Sequence, residues 1–150
     1  MIICCNLGCS LGCLDEERTV LQDITESIGS YQDRYSDDCC RWEGVHCSPT
    51  SSHVIGIYFY NIKQDEDLWI PDMSLFSQLK QLQELHLKGN HFGGLTNPEA
   101  ICELVYLESL DLSDNSVEDV VPPCWGNMPS LRALKRETLP PFLLIYQTLR

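Results

Sequence analysis

The chain has 150 residues, the size of one domain, and carries 22 Asp and Glu against 10 Lys and Arg, a formal charge of −12. That balance argues against nucleic acid or anionic lipid as partners, since both require a basic footprint. No apolar run reaches the roughly 18 residues that a membrane-spanning helix needs, and nine cysteines are many for a reducing compartment.

Residues 1–12 (MIICCNLGCSLG) form an apolar leader that ends in small residues. It reads as a truncated secretory signal; because it lacks a basic start, a leader that directs nothing is the competing reading. Removing it takes away Cys4, Cys5 and Cys9. Cys13, Cys39, Cys40, Cys47, Cys102 and Cys124 then remain, an even set suited to disulfides and an oxidising compartment.

Residues 13–52 form a compact unit. Leu14-Asp15-Glu16-Glu17 resembles a helix start, with acids where the dipole favours them. Val20, Leu21, Ile24 and Ile28 continue it as an apolar stripe at helical spacing, and Gly29-Ser30 end it. The run Cys39-Cys40-Arg41-Trp42-Glu43-Gly44-Val45-His46-Cys47 follows.

Residues 53–136 are repetitive. Leu79, Leu82, Leu85, Leu87 and Asn90 recur 25 positions later as Leu104, Leu107, Leu110, Leu112 and Asn115. Both copies read L-x-x-L-x-x-L-x-L-x-x-N, with Phe92 and Val117 two places beyond the asparagine. This is the leucine-rich repeat pattern. Two leucines placed two apart on a short strand point into one core. The asparagine ends the strand with an amide able to satisfy backbone groups in the turn.

A first strand precedes these copies: Val54, Ile57 and Phe59 match Leu82, Leu85 and Leu87 at an offset of 28, with Asn61 one place early and Ile62 at the asparagine position. Residues 63–74 read as a polar, acidic insertion. A further repeat begins with Met128, Leu131 and Leu134, then fails at Arg136 and Leu139, and residues 137–150 are an irregular apolar tail. The expected fold is an α/β leucine-rich-repeat solenoid with a helical N-terminal cap, cut short at its C-terminal side.

The Cys-Cys-x-Trp-x-Gly-Val-x-Cys motif, preceded by Cys13-Leu14-Asp15-Glu16-Glu17-Arg18 and an amphipathic helix, resembles the N-terminal cap of plant extracellular leucine-rich-repeat proteins. These include receptor-like proteins, receptor kinases and polygalacturonase-inhibiting proteins. The resemblance implies disulfides Cys13–Cys39 and Cys40–Cys47, although four cysteines on their own allow three pairings. It also implies a second small sheet built from an L-x-G-x-I-P extension, which Val117-Glu118-Asp119-Val120-Val121-Pro122 resembles and which Phe92-Gly93-Gly94-Leu95 matches in part. Cys102 and Cys124 lie in adjacent repeats, 22 apart, and form either a third bridge or two buried thiols.

Strand positions between the core leucines face the concave surface, where such solenoids bind partners. Aligning the strands gives a central row of Tyr58, His86 and Asp111 and a neighbouring row of Tyr60, Lys88 and Ser113; Glu84 and Glu108 are expected to align on the other side. These eight residues are the candidate ligand-binding positions, against the plainer reading that they are solvated strand positions. His46 beside Cys40 and Cys47 lacks the paired spacing of a zinc site, so no metal and no cofactor is expected. No nucleophile elbow, phosphate loop or metalloprotease helix occurs, and the acids, Glu16-Glu17 and Asp37-Asp38 included, read as solubilising surface.

The expected function is non-enzymatic recognition of a protein or peptide, with a co-receptor as a further partner. By resemblance the chain is the N-terminal piece of an extracellular or cell-surface receptor-like protein in defence or development. Two other readings stand beside it: a truncated gene product without independent function, and a secreted enzyme inhibitor.

Overall fold

The computed structural model describes residues 12–29, 36–63, 65–115 and 121–136. The leader up to residue 11, the extension residues 117–120 and the apolar tail 137–150 lie outside the described residues.

Helix α1 (Asp15–Ile28) forms where the apolar stripe predicts it, burying Val20, Leu21, Ile24 and Ile28. It stops at Gly29, whose φ of 76° turns its N–H back onto the Glu26 carbonyl at 3.0 Å. Five strands then make one sheet in chain order: β1 (Val45–Cys47), β2 (Val54–Tyr58), β3 (Glu84–His86), β4 (Ser109–Asp111) and β5 (Ala133–Lys135). The last four are parallel and in register, with Ile57, Leu85, Leu110 and Leu134 side by side in the core. The repeat that fails in sequence after Leu134 still supplies β5.

The opposite side of the coil is made of short helical pieces. Helix α2 (Met73–Phe76) packs between α1 and a 3-10 turn over Pro98–Glu103, which in turn packs on a second 3-10 turn over Pro123–Asn127. One continuous core fills the space between sheet and turns, from Leu21 and Ile24 of the cap to Leu131 and Leu134 of the last strand unit.

Asparagines hold successive coils in step. Asn90 is fully buried, and its side-chain oxygen accepts the N–H groups of Ile62 at 2.9 Å and Lys63 at 3.1 Å in the preceding coil. Its amide nitrogen donates to the carbonyls of Phe59 at 2.6 Å and Leu87 at 3.0 Å. Asn115 repeats the device one coil on: it accepts from the Asn90 N–H at 2.7 Å and donates to the carbonyls of Leu87 at 2.9 Å and Leu112 at 3.1 Å. Asn61 takes a separate role in the first turn. A Cβ at Gly89 (φ 74°) would stand 2.0 Å from the Asn61 side-chain oxygen, so glycine is required there.

The cap closes the first edge of the sheet. Strand β1, too short to be legible in sequence, runs antiparallel to β2 and pairs Val45 with Ile57 and His46 with Gly56. Cys13 is bonded to Cys39 and Cys40 to Cys47, tying the start of α1 and the end of β1 to the same turn. The third bridge joins Cys102 to Cys124 across the two 3-10 turns.

Three expectations change. Glu17 is buried, not a solubilising acid: it lies one turn before Val20 and Leu21 on the core face and accepts the Val54 N–H at 3.0 Å and the His53 ring nitrogen at 3.3 Å. Asp38 is half-buried and accepts the N–H groups of Cys13 and Cys40, both at 3.0 Å. The polar insertion is a structural ladder in its second half. Trp69 pairs with Phe92 and Asp72 with Thr96 in isolated parallel bridges, at the partial extension that follows Asn90. There the Trp69 and Phe92 rings meet edge to face at 5.2 Å.

Two stability measurements follow. Asn90→Ala leaves several buried backbone groups without partners and is expected to lower the unfolding free energy by about 3 kcal/mol or more in urea titrations. Asn115→Ala, at a half-buried site, is expected to lose less; an equal or smaller loss at Asn90 would contradict the ladder's importance. Loop-closure entropy predicts that Cys13→Ser with Cys39→Ser destabilises by about 3.5 kcal/mol and Cys40→Ser with Cys47→Ser by about 2.4 kcal/mol, measured the same way.

Candidate recognition surface

The register of the parallel strands sets which side chains stand together. Tyr58, His86, Asp111 and Lys135 form one row, and the pairing continues so that Tyr60, Lys88 and Ser113 form the next. Glu84 and Glu108 do not share a row. Glu84 stands opposite Gly56 and Ser109, while the Glu108 N–H bonds the Gln83 carbonyl and the Glu108 carbonyl accepts from Arg132. The 25-residue offset that relates the core leucines applies to every strand position, which places Ser109 and not Glu108 beside Glu84.

These side chains brace one another. The Tyr58 hydroxyl donates to Glu84 Oε2. Tyr60 Oη and His86 Nδ1 are 2.7 Å apart, and His86 Nε2 lies 2.9 Å from Ser109 Oγ, so both imidazole nitrogens are engaged. The Tyr58 and His86 rings meet edge to face with centroids 5.2 Å apart, and Tyr60 stands 6.0 Å from His86 and 6.5 Å from Tyr58. Gly56 makes room for this: a Cβ there would lie 2.8 Å from Tyr58 Cε2.

Away from this aromatic corner two ion pairs form. Lys88 Nζ lies 3.1 Å from Asp114, and Lys135 Nζ lies 4.0 Å from Asp111. Asp111 is buried and accepts the Ser113 N–H at 3.0 Å and its hydroxyl at 2.5 Å, which fixes the turn after β4. Ser109, Asp114 and Lys135 were not singled out in sequence. Lys135 and Ser109 follow from extending the same offsets by one repeat and by one strand position.

Burial holds the His86 imidazole below its ordinary range, against the opposing pull of Asp111 and Glu84. Burial raises the Tyr58 hydroxyl well above its usual value, with the Glu84 hydrogen bond adding to it, and raises Tyr60 as well. Lys88 is raised by its bond to Asp114. At neutral pH the corner therefore presents protonated phenols and a neutral imidazole. Among the described residues no group of acids, cysteines and histidines is arranged to hold a metal, and no helix is long and apolar enough to cross a membrane.

Residues 81–104 and 106–128 match the family described as Leucine Rich Repeat. Among curated proteins, Receptor-like protein 9a of Arabidopsis thaliana is 28% identical over 143 residues, covering 89% of this chain and 15% of that protein. Receptor-like protein 7 of the same plant is 31% identical over 113 residues (73% and 11%), and Cuscuta receptor 1 of Solanum lycopersicum is 31% identical over 141 residues (83% and 12%). The chain thus spans between 11% and 15% of the length of these relatives. Among solved structures, the ectodomain of the receptor kinase SOBIR1 from Arabidopsis thaliana superposes with a TM-score of 0.64 at 22% identity, covering 85% of this chain and 68% of that one. A plant ice-binding protein superposes at 0.60 with 25% identity, covering 83% and 48%. With the repeat, the cap motif and its disulfides in place, the chain belongs to the plant leucine-rich-repeat family of receptor-like proteins.

Proposed function

We propose that this chain is a non-enzymatic recognition module whose concave strip, Tyr58, Tyr60, Glu84, His86, Lys88, Glu108, Asp111 and Ser113, binds an extended protein or peptide segment outside the cell. The observation that carries this reading is the braced aromatic corner. Tyr60 is 45% exposed, yet its hydroxyl is held by His86, which is itself held by Ser109. Tyrosines fixed on a rigid strand offer large amphipathic contact area at little entropic cost, which is why they recur as interface anchors.

Three disulfides support an oxidising, extracellular or cell-surface location. A neighbour in fold, the receptor kinase HAESA ectodomain, is described in complex with an IDA peptide hormone ligand. An analogous peptide, or the ectodomain of a co-receptor, is the partner class we assign to this chain. The cap over residues 13–52 and the repeats over 53–136 serve this as end and platform.

Binding of synthetic secreted-type peptides and of recombinant co-receptor ectodomains to the immobilised chain tests the reading. A specific partner is expected to lose at least about tenfold in affinity with Tyr58→Ala or Tyr60→Ala, the loss of a modest hot spot, and to be unaffected by Glu103→Ala on the opposite side. Binding that ignores the strip but depends on that opposite side would overturn it.

A pH effect follows from His86. Because the fold holds its pKa down, the folded chain resists a proton that the unfolded chain accepts. The stability contributed by the neutral ring is complete above the unfolded imidazole value near 6.5 and is lost as pH falls through and below it. Thermal melts from pH 7.5 to 5.5 are expected to show a decline that is shallower in His86→Gln; parallel slopes in the two proteins would contradict the assignment.

A further inference from the structure

The bracing of the aromatic corner leaves its carboxylate, Glu84, without a basic partner among the described residues. Lys88 is matched by Asp114 and Lys135 by Asp111. Glu84 has no such counterpart. Its in-register neighbours are Gly56 and Ser109, and among the described residues no basic side chain forms an ion pair with it. The hydroxyl of Tyr58 engages Oε2 only.

Around this carboxylate stand three aromatic rings. Tyr58, Tyr60 and His86 lie with centroids between 5.2 and 6.5 Å of one another and mutually tilted. A cation is attracted to a phenol ring face when it lies within about 6 Å of the centroid, and more strongly when a carboxylate shares the site. Burial keeps His86 neutral at neutral pH, so the imidazole adds surface without repelling positive charge.

We propose that the corner formed by Tyr58, Tyr60, Glu84 and His86 is a subsite for a cationic side chain, an arginine or lysine of the bound polypeptide. This rests on the concave strip being the recognition surface and adds to it the chemistry that surface selects. The guanidinium or ammonium group would bond the second oxygen of Glu84 while its alkyl stem lies along the tyrosine rings. The neighbouring row then places Lys88 with Asp114, a neutralised pair that does not oppose the incoming charge.

The test is titration of the full chain with Nα-acetyl-arginine amide and, separately, with the neutral isostere Nα-acetyl-citrulline amide, followed by carbon–proton NMR of the aromatic rings. Saturable shifts of the Tyr58, Tyr60 and His86 resonances are expected with arginine and none with citrulline. Glu84→Gln, which keeps the shape and the acceptor for Tyr58, is expected to weaken arginine binding about tenfold. Equal shifts with citrulline would overturn the cationic subsite while leaving the strip as a recognition surface. Shifts confined to other residues, or none with either compound, would also overturn it. The recognition reading itself stands or falls by the partner-binding measurement with Tyr58→Ala and Tyr60→Ala.

Discussion

Stacking parallel strands into a coil forces the chain to turn after each one, and each turn's backbone is then covered by the next coil. Buried N–H and C=O groups without partners are costly, so something must pair with them. Asn90 does this with one amide, accepting from Ile62 and Lys63 and donating to Phe59 and Leu87. Because Asn115 in turn accepts the Asn90 N–H, the position of each turn is specified by the next. That ladder sets the register of the sheet. A slip of one residue would exchange core and surface along every strand, so the rows of Tyr58, His86 and Asp111 depend on amides that never touch the concave face.

The other constraint is the end of the stack. The first coil has no preceding turn to cover it, and β2 would present an unpaired edge. The cap solves both problems with few residues. Strand β1 pairs the edge in the antiparallel sense, α1 covers the core with Leu21 and Ile24, and Glu17 reaches from the helix to the first N–H of β2. Two disulfides fasten this small unit, whose own apolar area is modest.

How much of this was legible in the chain depended on whether a residue's role is periodic. Leu79 to Asn90 and Leu104 to Asn115 announce themselves because every coil must solve the same packing problem at the same offset. The concave rows follow from that offset, and the misplacement of Glu108 beside Glu84 came from departing from it by one. Glu17 was not legible, since an acid in a first helical turn is what an exposed helix start also shows. Strand β1 is only three residues long, and residues 69–72 lie in a stretch with no leucine-repeat spacing, yet both pair with neighbours, β1 with β2 and Trp69 with Phe92. Such one-off contacts are decided by tertiary proximity, which has no repeat to reveal it.

The dimensions of the strip bear on what it can bind. Four parallel strands at about 4.8 Å spacing make a face about 14 Å across. At roughly 3.3 Å per residue, an extended ligand crossing it meets the strands with only four or five of its residues. These four strands supply a few hundred Å² of contact, a part of the roughly 800 Å² that each partner contributes to a standard interface. What they add to affinity therefore depends on individual anchors rather than on summed contact. The arrangement here suits that regime: Tyr58, Tyr60 and His86 are immobilised before any ligand arrives, and Glu84 is the one carboxylate of the corner without a basic partner among the described residues. A partner that presents a single well-placed cation gains from all four residues at once, whereas one that lacks it meets only a shallow, half-polar sheet face.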